Sequence, residues 1–268
     1  MCSQNKKRIM ETIISQLPSP IDILLDPLSL IILGIYALLI AAEEIFPARK
    51  LPRVKYWRIR GLASFTLFFF VASYLPMFTD SYLAKYQLMD LSSWGILPSA
   101  LLGFVMYETV VYAYHRTVHR SNFLWRNFHQ VHHSAERLDS YGALFHSPLD
   151  MVGFTFVTSF CFAFIMGLPP EAITLIVLVI NFLAFFQHAN IHTPHWMGYI
   201  VQRPESHSIH HAKGIHHYNY SDLPLVDMIF GTFKNPHNYQ KETGFYLGAS
   251  SRIPEMLRGK DVSKQKPF

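Results

Sequence analysis

Ten histidines fall into four closely spaced clusters, and this pattern constrains the fold more than any other feature of the chain. The clusters are His115 and His119; His129, His132 and His133; His188 and His192; and His207, His210 and His211. The second pair of clusters repeats the two spacings of the first pair in the same order. Residues three or four positions apart share one face of a helix, so each cluster can direct its ring nitrogens at one point. The fold must therefore bring two distant parts of the chain together.

Imidazole nitrogens are common ligands of first-row transition metals. One such ion accepts about four to six ligands, so ten converging imidazoles are too many for one ion and about right for two. The two cysteines, Cys2 and Cys161, lie far apart and do not indicate a thiolate site. The sequence therefore predicts a two-metal centre with nitrogen ligands, and the spacing alone leaves iron, zinc and copper open.

Composition and apolar runs indicate that this centre belongs to a membrane protein. Charged residues make up 15% of the 268 residues, well below the roughly 25% of soluble proteins. Apolar runs predict spans over 28–46, 62–78 and 96–114, and an apolar hairpin over 151–166 and 172–186. The last two runs are short, so about four or five spans or re-entrant hairpins fit the pattern. The expected fold class is an all-α integral membrane bundle with a histidine-rich cap.

The basic segment 47–60 predicts the orientation of this bundle. It carries six basic residues and no acidic one, which is typical of a cytoplasmic loop. Counting spans from this loop predicts that all four clusters face the cytoplasm, at a bacterial inner membrane or an endoplasmic reticulum membrane. Because the basic residues flank apolar runs, the net charge of +5 does not indicate nucleic-acid binding.

Four further polar residues are candidates for the surroundings of the metals. Glu108 and Tyr112 share a helix face with the first cluster, and an ionisable residue inside a span is a functional hypothesis by default. We expect Glu108 to accept the outer N–H of a liganding histidine and so to fix its tautomer. Asn190 and Asp227 are candidates for the same role. Of the other five histidines, His146 and His217 could lie near the centre, but hydrogen-bonded interfacial positions are preferred for them. His195, His216 and His237 are expected at the surface.

The order of these motifs resembles that of the fatty acid hydroxylase and sterol desaturase superfamily, most closely its short bacterial members. The matching elements, over about residues 100–235, are Glu108-x-x-x-Tyr112-x-x-His115-Arg-x-x-His119, His-x-x-His-His-Ser, His-Ala-Asn, His-x-x-His-His, Asn-Tyr and Asp-x-x-Phe-Gly-Thr. Three positions depart from the usual pattern. Glu108 replaces the usual Asp, many bacterial members lack a histidine at the position of His192, and Val226 stands where Trp is common before Asp227.

The resemblance implies an integral membrane, non-haem di-iron oxygenase. In that family the histidines of the four clusters bind two iron ions, which zinc can replace in a purified form. Dioxygen and an external electron donor, namely a cytochrome, a ferredoxin or an NAD(P)H reductase, complete the reaction. The expected partners are the bilayer, a lipid substrate such as a fatty acyl chain or sterol, and the electron-transfer protein. Hydroxylation and desaturation both fit, with hydroxylation preferred.

The expected organisation has three parts, and two other functions compete with the oxygenase. Residues 1–95 would hold the first spans and the basic loop, 96–236 the catalytic domain, and 237–268 a C-terminal tail that is expected to be exposed from Lys241 onward. A metal transporter is expected to carry polar residues near the midplane of several spans, whereas these histidines lie at span ends. A membrane zinc-dependent hydrolase needs a carboxylate base beside the metal, for which Glu108 is the strongest candidate.

Overall fold

The computed structural model describes residues 17–264, in which five long helices form the membrane part of the fold. They are α1 (Pro27–Ile45), α2 (Trp57–Leu83), α3 (Ile96–Arg120), α4 (Pro148–Met166) and α5 (Pro170–Phe186). Within residues 17–264 there is no strand, and one isolated bridge joins Ala212 to Thr243. The protein is therefore an all-α bundle, as predicted. Cys2 and the outer ends of the first and last predicted domains lie outside the described residues.

Four of these helices are long and apolar enough to cross a membrane. Helices α1 to α4 have 19 residues or more, and 19 residues at 1.5 Å each give about 28 Å, close to the ~30 Å hydrocarbon layer. Helix α5 is apolar and shorter. It follows α4 after a tight turn at Gly167, whose φ of +50° is a conformation that glycine adopts without strain. The turn confirms the predicted hairpin.

Glycines allow the long helices to approach one another closely. Helix α2 packs along α4, and α5 packs against both α1 and α3. A Cβ atom at Gly103 of α3 would lie 2.7 Å from side-chain atoms of Leu168 and Ile176. A Cβ atom at Gly153 of α4 would lie 2.0 Å from the hydroxyl of Tyr114. Small residues at such crossings are typical of membrane bundles, in which close packing holds the helices together.

The segment 84–95 between α2 and α3 lies at one end of the bundle, where Leu88 and Met89 bond to Phe164 and Ile165 of α4. Most of the remaining segments form a cap over the other end. Its short helices include a π-helical turn at Trp125–His129, then Gln130–His133, His195–Tyr199, α6 (Pro204–His210), α7 (Pro224–Ile229) and Ile253–Met256. The tail that was expected to be exposed from Lys241 onward is buried in part over residues 241–264. Phe245, Met256 and Val262 are buried in one cluster with Val131. These apolar residues occur in runs of at most three residues between turn-forming or charged ones, so no periodic pattern predicts their burial.

Candidate metal centre

The structure brings nine of the ten candidate ligands together in two groups, each of which could hold a metal ion. Site A consists of His115, His119, His129, His133 and His210. Site B consists of His132, His188, His207 and His211. Within each group the candidate ligand nitrogens all lie within 4.8 Å of one another. Both groups lie at the end of the bundle where α3 and α5 finish and α4 begins.

Each His-x-x-His-His motif is divided between the two sites. At about 100° per residue, positions i and i+4 of a helix lie about 40° apart, whereas i+3 lies about 60° to the other side. Accordingly His129 and His133 belong to site A, and His132 belongs to site B. In the second motif, His207 and His211 belong to site B, and His210 belongs to site A. The expectation that each cluster aims at one point was therefore wrong for both motifs.

Hydrogen bonds orient the rings of site A. The Nδ1 atoms of His115 and His210 donate to the backbone carbonyls of Tyr220 and Tyr218, at 2.8 and 2.7 Å. A neutral imidazole with its proton on Nδ1 keeps the lone pair of Nε2 free, and that lone pair is what a metal ion requires. These backbone contacts therefore select the tautomer that turns Nε2 towards the centre of the site.

The Nε2 atoms of site A are suited to a cation. Those of His115 and His129 lie 2.9 Å apart. Those of His119, His133 and His210 are buried and have no hydrogen-bond partner within residues 17–264. Buried acceptors that face one another without a proton or a cation cost free energy, because burial has removed water from their lone pairs. The donor set therefore fits a transition metal with imidazole ligands.

The four imidazoles of site B are also suited to a metal ion. His188 donates from Nδ1 to the carbonyl of Ala184 at 2.7 Å, which leaves its Nε2 atom free to bind. That Nε2 atom lies 3.2 Å from Nε2 of both His132 and His207, and the Nε2 atoms of His207 and His211 lie 3.1 Å apart. Four nitrogens around one point match the usual coordination number of a small divalent ion in proteins.

The electrostatics of the cap keep these rings neutral. Burial first, and neighbouring imidazoles second, lower the pKa of His132, His133, His207, His210 and His211 well below the ordinary value. Rings with so low a pKa are neutral at pH 7, so each has one ring nitrogen without a proton. They can therefore bind a metal ion without first releasing a proton.

Two residues that the sequence analysis did not place at the centre contact it directly. The Oδ2 atom of Asp150 accepts hydrogen bonds from Nδ1 of His129 and from Nδ1 of His146, both at 2.7 Å. The ring of His146 also stacks on His132, with centroids 4.1 Å apart. These contacts link Asp150 to both sites and account for the third close group that it forms with the two histidines. One signal in the sequence could have indicated the contact between His146 and Asp150. The two residues are four positions apart, on either side of Ser147, where the helix starts.

Glu108 does not contact the ligand imidazole that it was expected to orient. Its Oε2 atom accepts hydrogen bonds from Oγ of Ser221 at 2.7 Å and from the backbone N–H of Leu223 at 3.0 Å. Glu108 thus holds the segment 218–223 against α3. Because this segment supplies the carbonyls that orient two ligands of site A, Glu108 acts on the ligands through the backbone.

Asp227 holds the same segment from its other side. Its carboxylate accepts hydrogen bonds from the backbone N–H groups of Tyr220 and Ser221, at 3.0 and 2.9 Å, and from Oγ1 of Thr232 at 2.6 Å. Asp227 was expected to bond directly to a ligand ring. Instead, it holds the backbone segment that orients two ligands of site A. A contact of this kind depends on how the segment folds back over α3, which residue spacing does not reveal.

Tyr112 and Asn190 also lie outside the two sites. The hydroxyl of Tyr112 is hydrogen-bonded to Oγ1 of Thr232 at 3.1 Å. Asn190 donates its backbone N–H to the buried carboxylate of Glu43 at 3.1 Å and its side-chain amide to the carbonyl of Arg49 at 2.8 Å. Tyr112 thus joins the cap to α3, and Asn190 joins it to α1 and the basic loop.

His192 reaches neither site, so the structure does not support it as a ligand. Its side chain is 74% exposed and lies 3.8 Å from Glu205. Its predicted position assumed that the helix continues past His188. Helix α5 ends at Phe186 instead, and the chain is irregular through 190–194. The i, i+4 relation to His188 is therefore lost.

The histidines expected outside the centre differ in their positions. His216, which was expected at the surface, is largely buried, and its Nδ1 atom lies 3.2 Å from Nδ1 of His133. Burial lowers the pKa of His216 to about 4. His195 and His237 stack on each other away from both sites, with centroids 3.9 Å apart, and His217 is exposed. His216 is therefore a neighbour of site A that the sequence did not indicate.

A mainly apolar cavity of about 500 Å³ leads from the histidines into the bundle. Histidines of both sites line its end at the cap, among them His115 and His188. Its wall follows α2 from Phe65 to Asp80, and fifteen residues at 1.5 Å each correspond to about 22 Å. The length of the cavity is therefore more than half the thickness of a ~30 Å hydrocarbon layer.

Comparison with known proteins places this centre in a family. The family model for fatty acid hydroxylase matches residues 100–232. Ornithine lipid hydroxylase OlsE from Rhizobium tropici is 29% identical over 147 residues, which cover 53% of this chain and 44% of that protein. Sphinganine C4-monooxygenase 1 from Arabidopsis thaliana is 25% identical over 141 residues, covering 51% of this chain and 54% of that protein.

A third relative is the very-long-chain aldehyde decarbonylase GL1-9 from Oryza sativa subsp. indica, which is 25% identical over 151 residues, or 54% of this chain and 58% of that protein. The chain thus spans less than two thirds of the length of these three relatives. No solved structure matches the chain. The matched segment, 100–232, contains every histidine of sites A and B. Residues 100–232 of the chain therefore belong to the fatty acid hydroxylase family.

Proposed function

We propose that the protein is a membrane-bound di-iron oxygenase that hydroxylates a lipid, with its active site facing the cytoplasm. The observation that carries this proposal is the apolar cavity that opens onto both histidine groups. A cavity of this length suits an extended acyl chain whose reacting carbon lies beside the histidines. The names of two relatives, a hydroxylase and a monooxygenase, favour hydroxylation over desaturation.

The residues of the chain have distinct roles in this proposal. The five histidines of site A would together hold one iron ion, and the four histidines of site B would hold a second. Bound iron would supply the activation of dioxygen that oxidation of an unactivated C–H bond requires, which zinc, having no redox chemistry, does not. Asp150 and the carbonyls of Tyr218 and Tyr220 keep ligand rings in position. The apolar walls orient the lipid and exclude water from the reacting carbon.

The cytoplasmic orientation is supported by the position of the basic loop. Arg49 in this loop donates to the carbonyl of Gln240 at 2.8 Å, and its own carbonyl accepts from Asn190 at 2.8 Å. The loop and the histidine cap therefore lie at the same end of the bundle. If the positive-inside rule holds for the loop, an electron donor such as a cytochrome, a ferredoxin or an NAD(P)H reductase reaches the cap from the cytoplasm.

The competing zinc hydrolase is less well supported. Such an enzyme needs a carboxylate beside the metal to act as a general base. Over the described chain, neither site includes a carboxylate, and the nearest one, on Asp150, is occupied by two imidazole N–H groups. Glu108, the candidate base, is occupied by the segment 218–223.

Metal and oxygen measurements on the purified protein test the proposal. We expect two iron ions per chain, and oxygen uptake that requires both a reductant and lipid. The product should be a lipid heavier by one oxygen atom, detectable by mass spectrometry of extracts from cells with and without the gene. An active form that contains only zinc and consumes no oxygen would overturn the di-iron assignment.

The role of the cavity is tested by narrowing it without touching a ligand. Val177 lines the cavity on α5, whereas Val179 is 43% exposed on the outside of the same helix. We expect Val177→Trp to abolish oxidation of long-chain substrates and to leave the iron content unchanged, because the indole fills the channel. Val179→Trp introduces the same side chain towards the lipid and should retain activity. Equal activity of the two variants would show that the acyl chain of the lipid binds outside this cavity.

A further inference from the structure

The cap carries a patch of apolar side chains that its own fold leaves uncovered. The patch lies on two adjacent short helices, His195–Tyr199 and α7, and on the residues directly after them. Its large exposed members are Trp196 (62%), Tyr199 (57%), Ile200 (57%), Leu225 (50%), Ile229 (69%) and Phe230 (51%). Soluble surfaces rarely expose so many large apolar groups together, and such a patch marks a contact with a protein or a membrane.

The position of this patch along α3 favours the membrane. The ring of Phe230 stacks on Tyr112 of α3, with centroids 4.8 Å apart. Tyr112 follows Ile96, the first residue of α3, by sixteen positions, or about 24 Å along the helix. This distance is smaller than the ~30 Å thickness of the hydrocarbon layer. Val105, which is 46% exposed on the same helix, extends the apolar surface towards the middle of the bundle.

The chemistry of the patch matches that of a membrane interface. Tyr199 packs near Phe233, with centroids 5.8 Å apart, so that aromatic rings connect the first short helix to the segment that follows α7. An exposed cation, Lys234, follows the patch in sequence directly after Phe233, and the exposed Arg120 ends α3, the helix on which Phe230 packs. Aromatic and aliphatic side chains bordered by Lys and Arg are typical of segments that lie in the plane of the headgroups.

We propose that His195–Tyr199 and α7 form an in-plane anchor that inserts its apolar side chains into the leaflet on the cap side of the bundle. The occupant of the patch is thus the lipid leaflet, not a second protein. The anchor holds the cap against the membrane beside α3. It also keeps the segment 218–223, which precedes α7 and orients ligands of site A, at a constant depth.

Spin labels measure this depth directly. Cys2 is replaced by serine, the fully buried Cys161 is retained, and a nitroxide is attached to Ile229→Cys or to Leu225→Cys on α7. Lys241→Cys, at an exposed position of the cap, serves as the aqueous reference. The labelled proteins are placed in lipid nanodiscs, and an unchanged metal content shows that each variant has folded.

We expect the labels at positions 225 and 229 to be accessible to dioxygen, which concentrates in lipid, and protected from a water-soluble nickel chelate. The label at 241 should show the opposite preference. Accessibility of positions 225 and 229 to nickel equal to that of 241 would overturn the proposal, because the patch would then lie in water. Protection from both reagents would also overturn it, because a protein would then cover the patch.

Discussion

Replacement of His188 by alanine is expected to abolish lipid oxidation and to halve the metal content. His188 supplies one of four nitrogens to site B and none to site A. Its loss leaves three ligands at a buried site and opens a gap at the mouth of the cavity, which His188 also lines. Site A keeps all five of its nitrogens and should retain its ion. Metal analysis of the purified variant and mass spectrometry of the lipid product measure the two effects separately.

His192→Ala is the matched control, because it makes the same change four residues later on the same segment. The side chain of His192 is largely exposed and belongs to neither site. This variant should therefore keep both metal ions and full activity. Loss of metal from His192→Ala, or retention of both ions by His188→Ala, would contradict the assignment of ligands to site B.

Replacement of Asp150 by asparagine is expected to lower metal affinity at site A and activity by about 10- to 100-fold, the usual effect of losing a carboxylate that orients a metal ligand. The Oδ2 atom of Asp150 accepts from Nδ1 of both His129 and His146. An asparagine amide has one oxygen and one nitrogen, and if the nitrogen turns towards His129, that ring must rotate or change tautomer. Competition with a chelator of known affinity measures the loss.

Two further variants show whether the effect passes through His129. Asp90→Asn makes the same chemical change in an exposed loop and should leave metal affinity unchanged. His146→Phe keeps an aromatic ring stacked on His132 but removes one of the two hydrogen bonds to Asp150. Its effect should be smaller than that of Asp150→Asn. If Asp150→Asn binds metal as tightly as the unaltered protein does, the carboxylate does not orient the ligand.

The helices of the bundle could be predicted because each depends on a local property of the sequence. The apolar run 28–46 corresponds closely to the helix Pro27–Ile45, and the glycine and prolines at 167–170 mark the turn of the hairpin. Helix α2 begins at Trp57, earlier than the predicted residue 62. Its first turn is rich in arginine, and hydropathy does not detect a helical turn outside the apolar layer.

The candidate site was less predictable because its contacts join separate segments. Periodicity shows that His129 and His133 share a helix face, but which histidine from elsewhere in the chain meets them depends on the path of the loops. Likewise, Glu108 was correctly recognised as unusual for a span, yet its partner, the segment 218–223, lies more than a hundred residues away in sequence. His192 was expected to be a ligand because no proline or glycine in the sequence marks the end of helix α5 at Phe186.

The division of each His-x-x-His-His motif between sites A and B has a geometric consequence. Because both short helices contribute to both sites, the distance between the two groups is set by the width of a helix and not by the length of any connecting segment. Extra residues in the links between spans would leave this spacing intact. A single residue inserted inside either motif would rotate its later histidines by about 100° and dismantle both groups at once.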